Sequence, residues 1–311
     1  MTDSIAHGFR NRLRSGAPGF MAWSGLSDTT LVGYMSRAGY DAILLDQQHG
    51  LHDTASCIAC ISEAALTRTP VLVRVSVNDF AQAARMLDCG AAGVVAPMIN
   101  SAEDARRFVS CVKYPPVGQR SFGPGRAMQL LGATDDQAFI RSSNEDTLAI
   151  AMCETREALE DLDAILDVPG LDGLLVGPAD LSLALTGGTM DPNGNAVRSA
   201  TQEIVRRTRA KDKIACAFAG TVDRSRELAR DGFHLVSVEY CRFQKTAALN
   251  VRSRLHYSSG GVGSIRQRRA AAGHQRTQGG LSATGRSMRH RWPSRRGSES
   301  ARIDLRCPTS H

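Results

Sequence analysis

Four short apolar runs in the 311-residue sequence lead into polar residues of the kinds that enzymes use for chemistry. The first run ends in Asp46, with His49 three residues later, and the second ends around Arg74. Two later runs lead into Glu154 and into a Gly-Pro turn that precedes Asp180. One imidazole, one guanidinium and three carboxylates therefore stand at comparable positions, which indicates acid–base chemistry, anion binding or cation binding.

Arg74 is the most informative of these residues because apolar side chains flank it on both sides, from Val71 to Val75. A buried cation without a partner is costly, so the guanidinium must be paired. One interpretation is an internal ion pair with Glu154 or Asp180. The other is a planar fork that binds a substrate carboxylate or enolate, which the position at a strand end favours.

Glu154 and Asp180 allow two interpretations as well. Asp180 could act as the N-cap of a helix over Leu181–Leu185. Alternatively, the two carboxylates could hold a hard divalent cation, since Mg²⁺ or Mn²⁺ takes one or two protein carboxylates and leaves other positions to water and substrate. The two roles of Asp180 are compatible.

His49 follows Asp46 closely enough for the carboxylate to hold the tautomer of its imidazole. A lone histidine is more often a structural or surface residue, but this one stands at a strand end. His52, three residues further on, is less constrained, and we expect it to lie at the surface.

Eight apolar runs alternate with helical segments over about 250 residues, which predicts a closed (β/α)8 TIM barrel. Most runs do not alternate polar with apolar residues, as is typical of strands buried on both faces. An open doubly wound sheet is the alternative, but Trp23–Ser27 is not the Gly-rich phosphate turn expected after its first strand. The predicted strands are Gly19–Trp23, Ala42–Asp46, Pro70–Val75, Gly93–Pro97, Leu148–Glu154, Asp172–Val176, Ile214–Phe218 and His234–Val238.

Helical spacing predicts helices over Ala102–Val112 and Arg156–Leu166, with a last helix over Phe243–Leu255. Several helices should end at a glycine that tolerates positive φ, and the candidates are Gly39, Gly90, Gly170 and Gly232. In a barrel of this class the site lies at the C-terminal ends of the strands, where all the residues discussed above would meet.

Charge is distributed unevenly along the chain, whose formal net charge is +7. Residues 251–311 hold 13 Arg and two acids, a net of +11, whereas the first 250 residues hold 25 basic and 29 acidic residues, a net of −4. We therefore predict a barrel domain over 1–257 and a disordered, Arg/Gly/Ser-rich tail over 258–311 with no specific nucleic-acid partner. Scattered cysteines and the lack of a signal peptide or membrane-length apolar run predict a cytoplasmic protein.

Five motifs in one order resemble the HpcH/HpaI aldolase family, the class II pyruvate-dependent aldolases that include 2,4-dihydroxyhept-2-ene-1,7-dioic acid aldolase. The resemblance covers about residues 5–255. Its motifs are Leu45–Gly50, Val73–Val75, Lys113–Arg120, Glu154-Thr155 and Val168–Ser182, the last containing Gly-Pro-Ala-Asp-Leu-Ser.

The resemblance implies a modified TIM barrel and a role for each matching residue. Glu154 and Asp180 would be the metal ligands, for Mg²⁺, Mn²⁺ or Co²⁺. Arg74 would hold the pyruvate keto oxygen and stabilise the enolate, and the main-chain amides of Ala179 and Asp180 would help bind the substrate carboxylate. His49 would be the general base, acting with a metal-bound water.

Two further carboxylates, Asp46 and Asp88, fall where the family has groups that orient this histidine and water. By itself Asp88 looks like a solvated helix residue, but in the family the corresponding group can act across a subunit interface. The sequence departs from the family pattern at Gln48, where many members have Glu, and after Val238, where it continues Glu239-Tyr240-Cys241-Arg242.

The predicted enzyme is a carbon–carbon lyase (aldehyde-lyase) that cleaves a 4-hydroxy-2-oxo acid reversibly to pyruvate and an aldehyde. The alternatives are a citryl- or malyl-thioester lyase of the same superfamily and a non-enzymatic binding protein on a degenerate barrel. The family is usually oligomeric, which implies a homo-oligomer built from dimers, such as a hexamer, often with the last helix exchanged between subunits.

Overall fold

The computed structural model describes residues 4–239, which fold into a closed barrel of eight parallel strands. Each strand pairs with the next one along the chain, and pairing of the first with the eighth closes the ring. The predicted barrel is confirmed, and the open sheet is wrong. The strands are β1 (Gly19–Ser24), β2 (Ala42–Asp46), β3 (Val71–Arg74), β4 (Gly93–Ala96), β5 (Leu148–Cys153), β6 (Gly173–Val176), β7 (Ile214–Phe218) and β8 (Leu235–Glu239).

Helices connect the strands on the outside of the barrel, and several begin at a side-chain cap such as Asp28, Asp53 or Ser101. The predicted glycine ends are confirmed, since φ is positive at Gly39, Gly90, Gly170 and Gly232. The helices are α1 (Ile5–Arg14), α2 (Thr29–Arg37), α3 (Thr54–Ala65), α4 (Phe80–Asp88), α5 (Ala102–Val112), α6 (Gly125–Leu131), α7 (Asp136–Asp146), α8 (Arg156–Glu160), α9 (Leu162–Leu166), α10 (Pro178–Thr186), α11 (Asn195–Ala210) and α12 (Val222–Arg230).

Alternate residues of the strands belong to two cores. Leu44, Leu72 and Met152 lie in a cluster that fills the barrel, whereas Leu45 and Val73 belong to the cluster between the strands and the helices. Helix α1 contributes Ala6, Phe9 and Leu13 to the inner cluster, together with residues that start the strands, such as Ala42 and Leu148. The N-terminal end of the barrel is therefore filled with apolar side chains, and the polar residues lie at the opposite end.

The predicted helix over Arg156–Leu166 is wrong in one respect, because it is divided into α8 and α9 at Asp161. The Asp161 carboxylate accepts the main-chain N–H of Ala102 at 2.6 Å and so caps the neighbouring α5. Residues 240–311 lie outside the described residues, and with them the predicted last helix, the domain boundary at 257 and the tail. In the part of the chain that is described, no helix is long and apolar enough to cross a membrane.

Candidate active site

The candidate residues share one rim because the strands that carry them are parallel and aligned. Asp46 and Arg74 are partners in the register of β2 and β3. Each stands two residues after an inward-facing leucine, and Glu154 stands two residues after inward-facing Met152. Because side chains alternate along a strand, all three are directed into the C-terminal mouth of the barrel.

Asp46 and Arg74 form a buried two-pronged ion pair inside this mouth. Arg74 Nε donates to Asp46 Oδ1 at 3.0 Å, and Arg74 Nη2 donates to Asp46 Oδ2 at 2.5 Å. The Trp23 indole N–H also donates to Asp46 Oδ2, and the guanidinium carbon lies 4.8 Å from the centre of the Trp23 ring. Carboxylate and indole thus fix the plane of the guanidinium before any ligand arrives.

This geometry corrects the proposed internal partner of Arg74, which is Asp46 and not Glu154 or Asp180. Burial alone would raise the pKa of the Asp46 carboxyl, but the hydrogen bonds and charge of Arg74 outweigh it, so that pKa lies below its ordinary value. Arg74 Nη1 faces the Met152 sulfur at 3.9 Å, a weak acceptor. One nitrogen of a pre-oriented guanidinium therefore remains for an oxygen of a ligand.

Glu154 is 2% exposed, and one of its two carboxylate oxygens accepts a hydrogen bond. Oε1 accepts the main-chain N–H of Met98 at 2.9 Å, while Oε2 is buried without a hydrogen-bond partner among the described residues. A Cβ at Gly177 would lie 2.3 Å from Oε2, so the glycine leaves the space that this oxygen occupies. Burial, with a smaller contribution from Asp180, raises the pKa of Glu154 to about 7.

These features fit a divalent cation. A buried carboxylate oxygen with no donor is costly unless something positive approaches it, and Asp180 is the nearby carboxylate whose charge Glu154 senses. Within residues 4–239 no group of three or more His, Cys, Asp or Glu is arranged as a complete metal cage. Two carboxylates with free positions are what Mg²⁺ or Mn²⁺ uses when water and substrate complete its shell.

The first turn of α10 supplies main-chain donors beside these carboxylates. The N-cap is Gly177, so no side chain caps the start of the helix, and Pro178 is the first helical residue. Asp180 is exposed in the first turn, so its predicted alternative role as the N-cap is wrong. The N–H groups of Ala179 and Asp180 belong to the orphan donors of a helix start, a position that suits an anion.

His49 is exposed at the rim, on the loop between β2 and α3. Asp46 Oδ1 accepts the main-chain N–H groups of Gln48 and His49 at 3.0 and 3.1 Å. The imidazole itself has no hydrogen-bond partner among the described residues, and Asp46 contacts the backbone of this loop rather than the ring. The loop thus leaves the exposed imidazole without a partner in the described part of the chain.

Comparison with known proteins places the chain in one family. A family model described as HpcH/HpaI aldolase/citrate lyase matches residues 19–242. The chain belongs to this family. It is therefore an enzyme, a carbon–carbon lyase of the aldolase type.

Several relatives support the assignment. The hydroxypyruvate/pyruvate aldolase of Rhizorhabdus wittichii is 34% identical over 223 residues, which cover 71% of this chain and 87% of the relative. The 4-hydroxy-2-oxo-heptane-1,7-dioate aldolase of Salmonella arizonae is 32% identical over 211 residues, 67% of this chain and 79% of the relative. The crystal structure of an HpcH/HpaI aldolase from Desulfitobacterium hafniense superimposes with a TM-score of 0.72 at 25% identity, covering 78% and 95% of the two chains.

Asp88 does not join the other predicted site residues within one chain. It is the last residue of α4, which runs from the C-terminal ends of the strands back towards their starts. Its carboxylate accepts a hydrogen bond from Arg120 at 2.6 Å and its side chain is 17% exposed, so it is not a freely solvated helix residue. A role of Asp88 in the site of a neighbouring subunit stays a prediction.

Two neighbours of His49 differ from expectation. His52 is 6% exposed, so its predicted surface position is wrong, and its imidazole contacts Ser24 and Ser56. Gln48 Oε1 is buried without a hydrogen-bond partner among the described residues. No spacing in the sequence signals this burial, because it depends on contacts of the ring with Ser24 at the end of β1 and Ser56 in the first turn of α3.

Proposed function

We propose that this lyase cleaves 4-hydroxy-2-oxo acids reversibly to pyruvate and an aldehyde, and that it needs Mg²⁺, Mn²⁺ or Co²⁺. The proposal is carried by Oε2 of buried Glu154, which has no hydrogen-bond partner within residues 4–239 and shares the rim with the pre-oriented guanidinium of Arg74. The Glu154 oxygen can bind a cation, and the Arg74 guanidinium can stabilise a developing anion. Cleavage of a 2-oxo acid to an enolate uses both.

Glu154 and Asp180 would hold the cation, which when bound supplies Lewis acidity to the 2-oxo acid. Gly177 contributes by leaving space beside Glu154 Oε2. The N–H groups of Ala179 and Asp180 would bind the substrate carboxylate at the start of α10. These contacts orient the substrate along the rim.

Arg74 stabilises the charge that develops during cleavage. When the C3–C4 bond breaks, its electron pair forms the C2–C3 double bond of the enolate. The C2 carbonyl pair moves to the C2 oxygen, which then carries the negative charge. Because Asp46 fixes Nε and Nη2, Nη1 can donate to the C2 oxygen without reorganisation of the guanidinium. A donor that is already in place lowers the barrier to enolate formation most.

His49 would take the proton of the 4-hydroxyl, directly or through a water molecule, as that oxygen becomes the aldehyde carbonyl. The protonated ring then gives this proton to C3 of the enolate, which completes pyruvate and restores the neutral ring. In the reverse direction the neutral ring removes a methyl proton of pyruvate to generate the enolate, and the protonated ring returns the proton to the new alkoxide.

The test is pyruvate release from a series of 4-hydroxy-2-oxo acids that differ in the aldehyde fragment, with the reverse addition assayed on matching aldehydes. We expect turnover with at least one member, a loss of activity in Glu154→Gln, and near wild-type activity in the exposed control Glu157→Gln. Absence of cleavage throughout the series, with turnover of a citryl or malyl thioester instead, would overturn the proposal.

A further inference from the structure

The loop that carries His49 is fastened at both ends. At its start, Asp46 Oδ1 holds the N–H groups of Gln48 and His49. At its end, the N–H of Leu51 donates to the carbonyl of Gly25 at 2.8 Å. Between them Gly50 packs so closely that a Cβ would lie 2.3 Å from the carbonyl oxygen of Asp46. The orientation of the unpartnered His49 ring therefore depends on this backbone.

His52 is the side chain that joins the end of the loop to the barrel. Its Nε2 lies 3.1 Å from Oγ of Ser24, the last residue of β1, which is fully buried. Its Nδ1 lies 3.4 Å from Oγ of Ser56 in the first turn of α3. One imidazole thus spans the space between a strand end, the loop and a helix start.

Either neutral tautomer of His52 can join the two serines. The Ser24 hydroxyl lies 3.2 Å from the carbonyl of Leu26, and the Ser56 hydroxyl lies 3.1 Å from the carbonyl of Asp53, so each serine has a second acceptor besides the ring. Burial lowers the pKa of the His52 imidazole, against the opposing effect of the Asp46 and Asp53 carboxylates, which agrees with a neutral ring.

We propose that His52 is a positioning residue for the general base: the hydrogen bond between its Nε2 and Ser24 Oγ holds the loop so that His49 meets the substrate. The inference rests on the proposed function, in which His49 moves the proton. It does not require His52 to touch the substrate, since its ring is buried beneath the loop. It predicts that losing His52 impairs proton transfer while enolate stabilisation at Arg74 and Glu154 persists.

Two reactions of one enolate separate these effects. Exchange of the pyruvate methyl protons with D₂O requires a base to break a C–H bond. Decarboxylation of oxaloacetate reaches the same enolate by losing CO₂, so that no proton has to be removed. The ratio of the two rates therefore reports on the base alone, and a general loss of folded enzyme leaves it unchanged.

The experiment compares four single variants and one double variant in the holoenzyme with Mg²⁺. His52→Leu and Ser24→Ala each remove one end of the hydrogen bond, and His52→Gln retains a group that can donate or accept near the position of Nε2. His234→Leu is the matched control, because this half-buried histidine accepts the N–H of Ala215 at the other end of the barrel. Circular dichroism reports the folded fraction of each.

We expect His52→Leu and Ser24→Ala each to lower methyl exchange relative to decarboxylation on the order of tenfold, the scale for a slightly misplaced catalytic group. Their effects should not add in the double variant, and His52→Gln should restore most of the ratio. If His52→Leu does not fold, Ser24→Ala decides the matter. An unchanged ratio in the folded variants would overturn the inference, whereas absence of both reactions in the wild type would overturn the proposed function instead.

Discussion

Replacing Glu154 by glutamine should make the metal-free protein more stable at high pH, although most changes of a buried residue destabilise a fold. Burial raises the pKa of this carboxyl to about 7 from an ordinary value of 4.5. The folded chain therefore binds the proton more tightly than the unfolded chain does. Stability is unaffected below pH 4.5, falls as pH rises from there, and reaches its full loss above pH 7.

The size of the effect follows from the same two values. A difference of 2.5 between them, at about 1.4 kcal/mol for each pH unit, corresponds to a loss of about 3 kcal/mol at pH 8. Glutamine keeps the acceptor for the Met98 N–H and carries no charge, so the variant avoids this loss. For a domain of this size the gain corresponds to a rise in Tm on the order of 10 °C.

The assay is urea unfolding of wild type and Glu154→Gln in EDTA at pH 5 and pH 8. The stability difference should be small at pH 5 and favour the variant by about 3 kcal/mol at pH 8. Mg²⁺ should then stabilise the wild type and leave the variant unchanged. Glu157→Gln, which removes an exposed carboxylate nearby, should match the wild type at both pH values. A variant less stable than wild type at pH 8 in EDTA would refute the reasoning.

Three further predictions concern turnover. Arg74→Lys keeps the charge but cannot hold Asp46 with two nitrogens and aim a third, so turnover should fall by ~100-fold or more; activity within a few fold of wild type would make Arg74 structural. His49→Asn should slow methyl exchange of pyruvate by at least ~100-fold and spare oxaloacetate decarboxylation; equal losses would remove the histidine from the proton-transfer step. A chain that ends at Tyr257 should fold and keep aldolase activity, and native trypsin digestion should yield a similar product because the remaining 54 residues are rich in arginine; a folded but inactive product would contradict this.

Strand positions were the part of the molecule that the sequence predicted best. A parallel barrel buries its strands on both faces, so each strand appears as a short run of apolar residues with few polar interruptions. The rim residues followed from those runs. An inward-facing apolar residue stands two positions before each of Asp46, Arg74 and Glu154, so all three side chains point to the same face of their strands.

Side-chain pairing was beyond the sequence because it depends on registers between strands. The partner of Arg74 is Asp46, which is 28 residues away in the chain but directly opposite in the β2–β3 register. The burial of His52 likewise depends on how β1 and α3 approach each other. The predicted helix over Arg156–Leu166 is interrupted at Asp161, whose carboxylate accepts the first main-chain N–H of α5. Helical spacing does not encode such a tertiary contact.

Exchange of the pyruvate methyl protons with D₂O, followed by NMR before and after chelation, tests the central claim most directly. The claim is that Glu154 and Asp180 hold a divalent cation without which this barrel cannot form the enolate. Exhaustive EDTA should abolish exchange by the wild-type protein, and Mg²⁺, Mn²⁺ or Co²⁺ should restore it. The same metals should not restore exchange by the Glu154→Gln variant. Exchange that continues at full rate in EDTA, or a lysine adduct trapped by borohydride with pyruvate, would contradict the account.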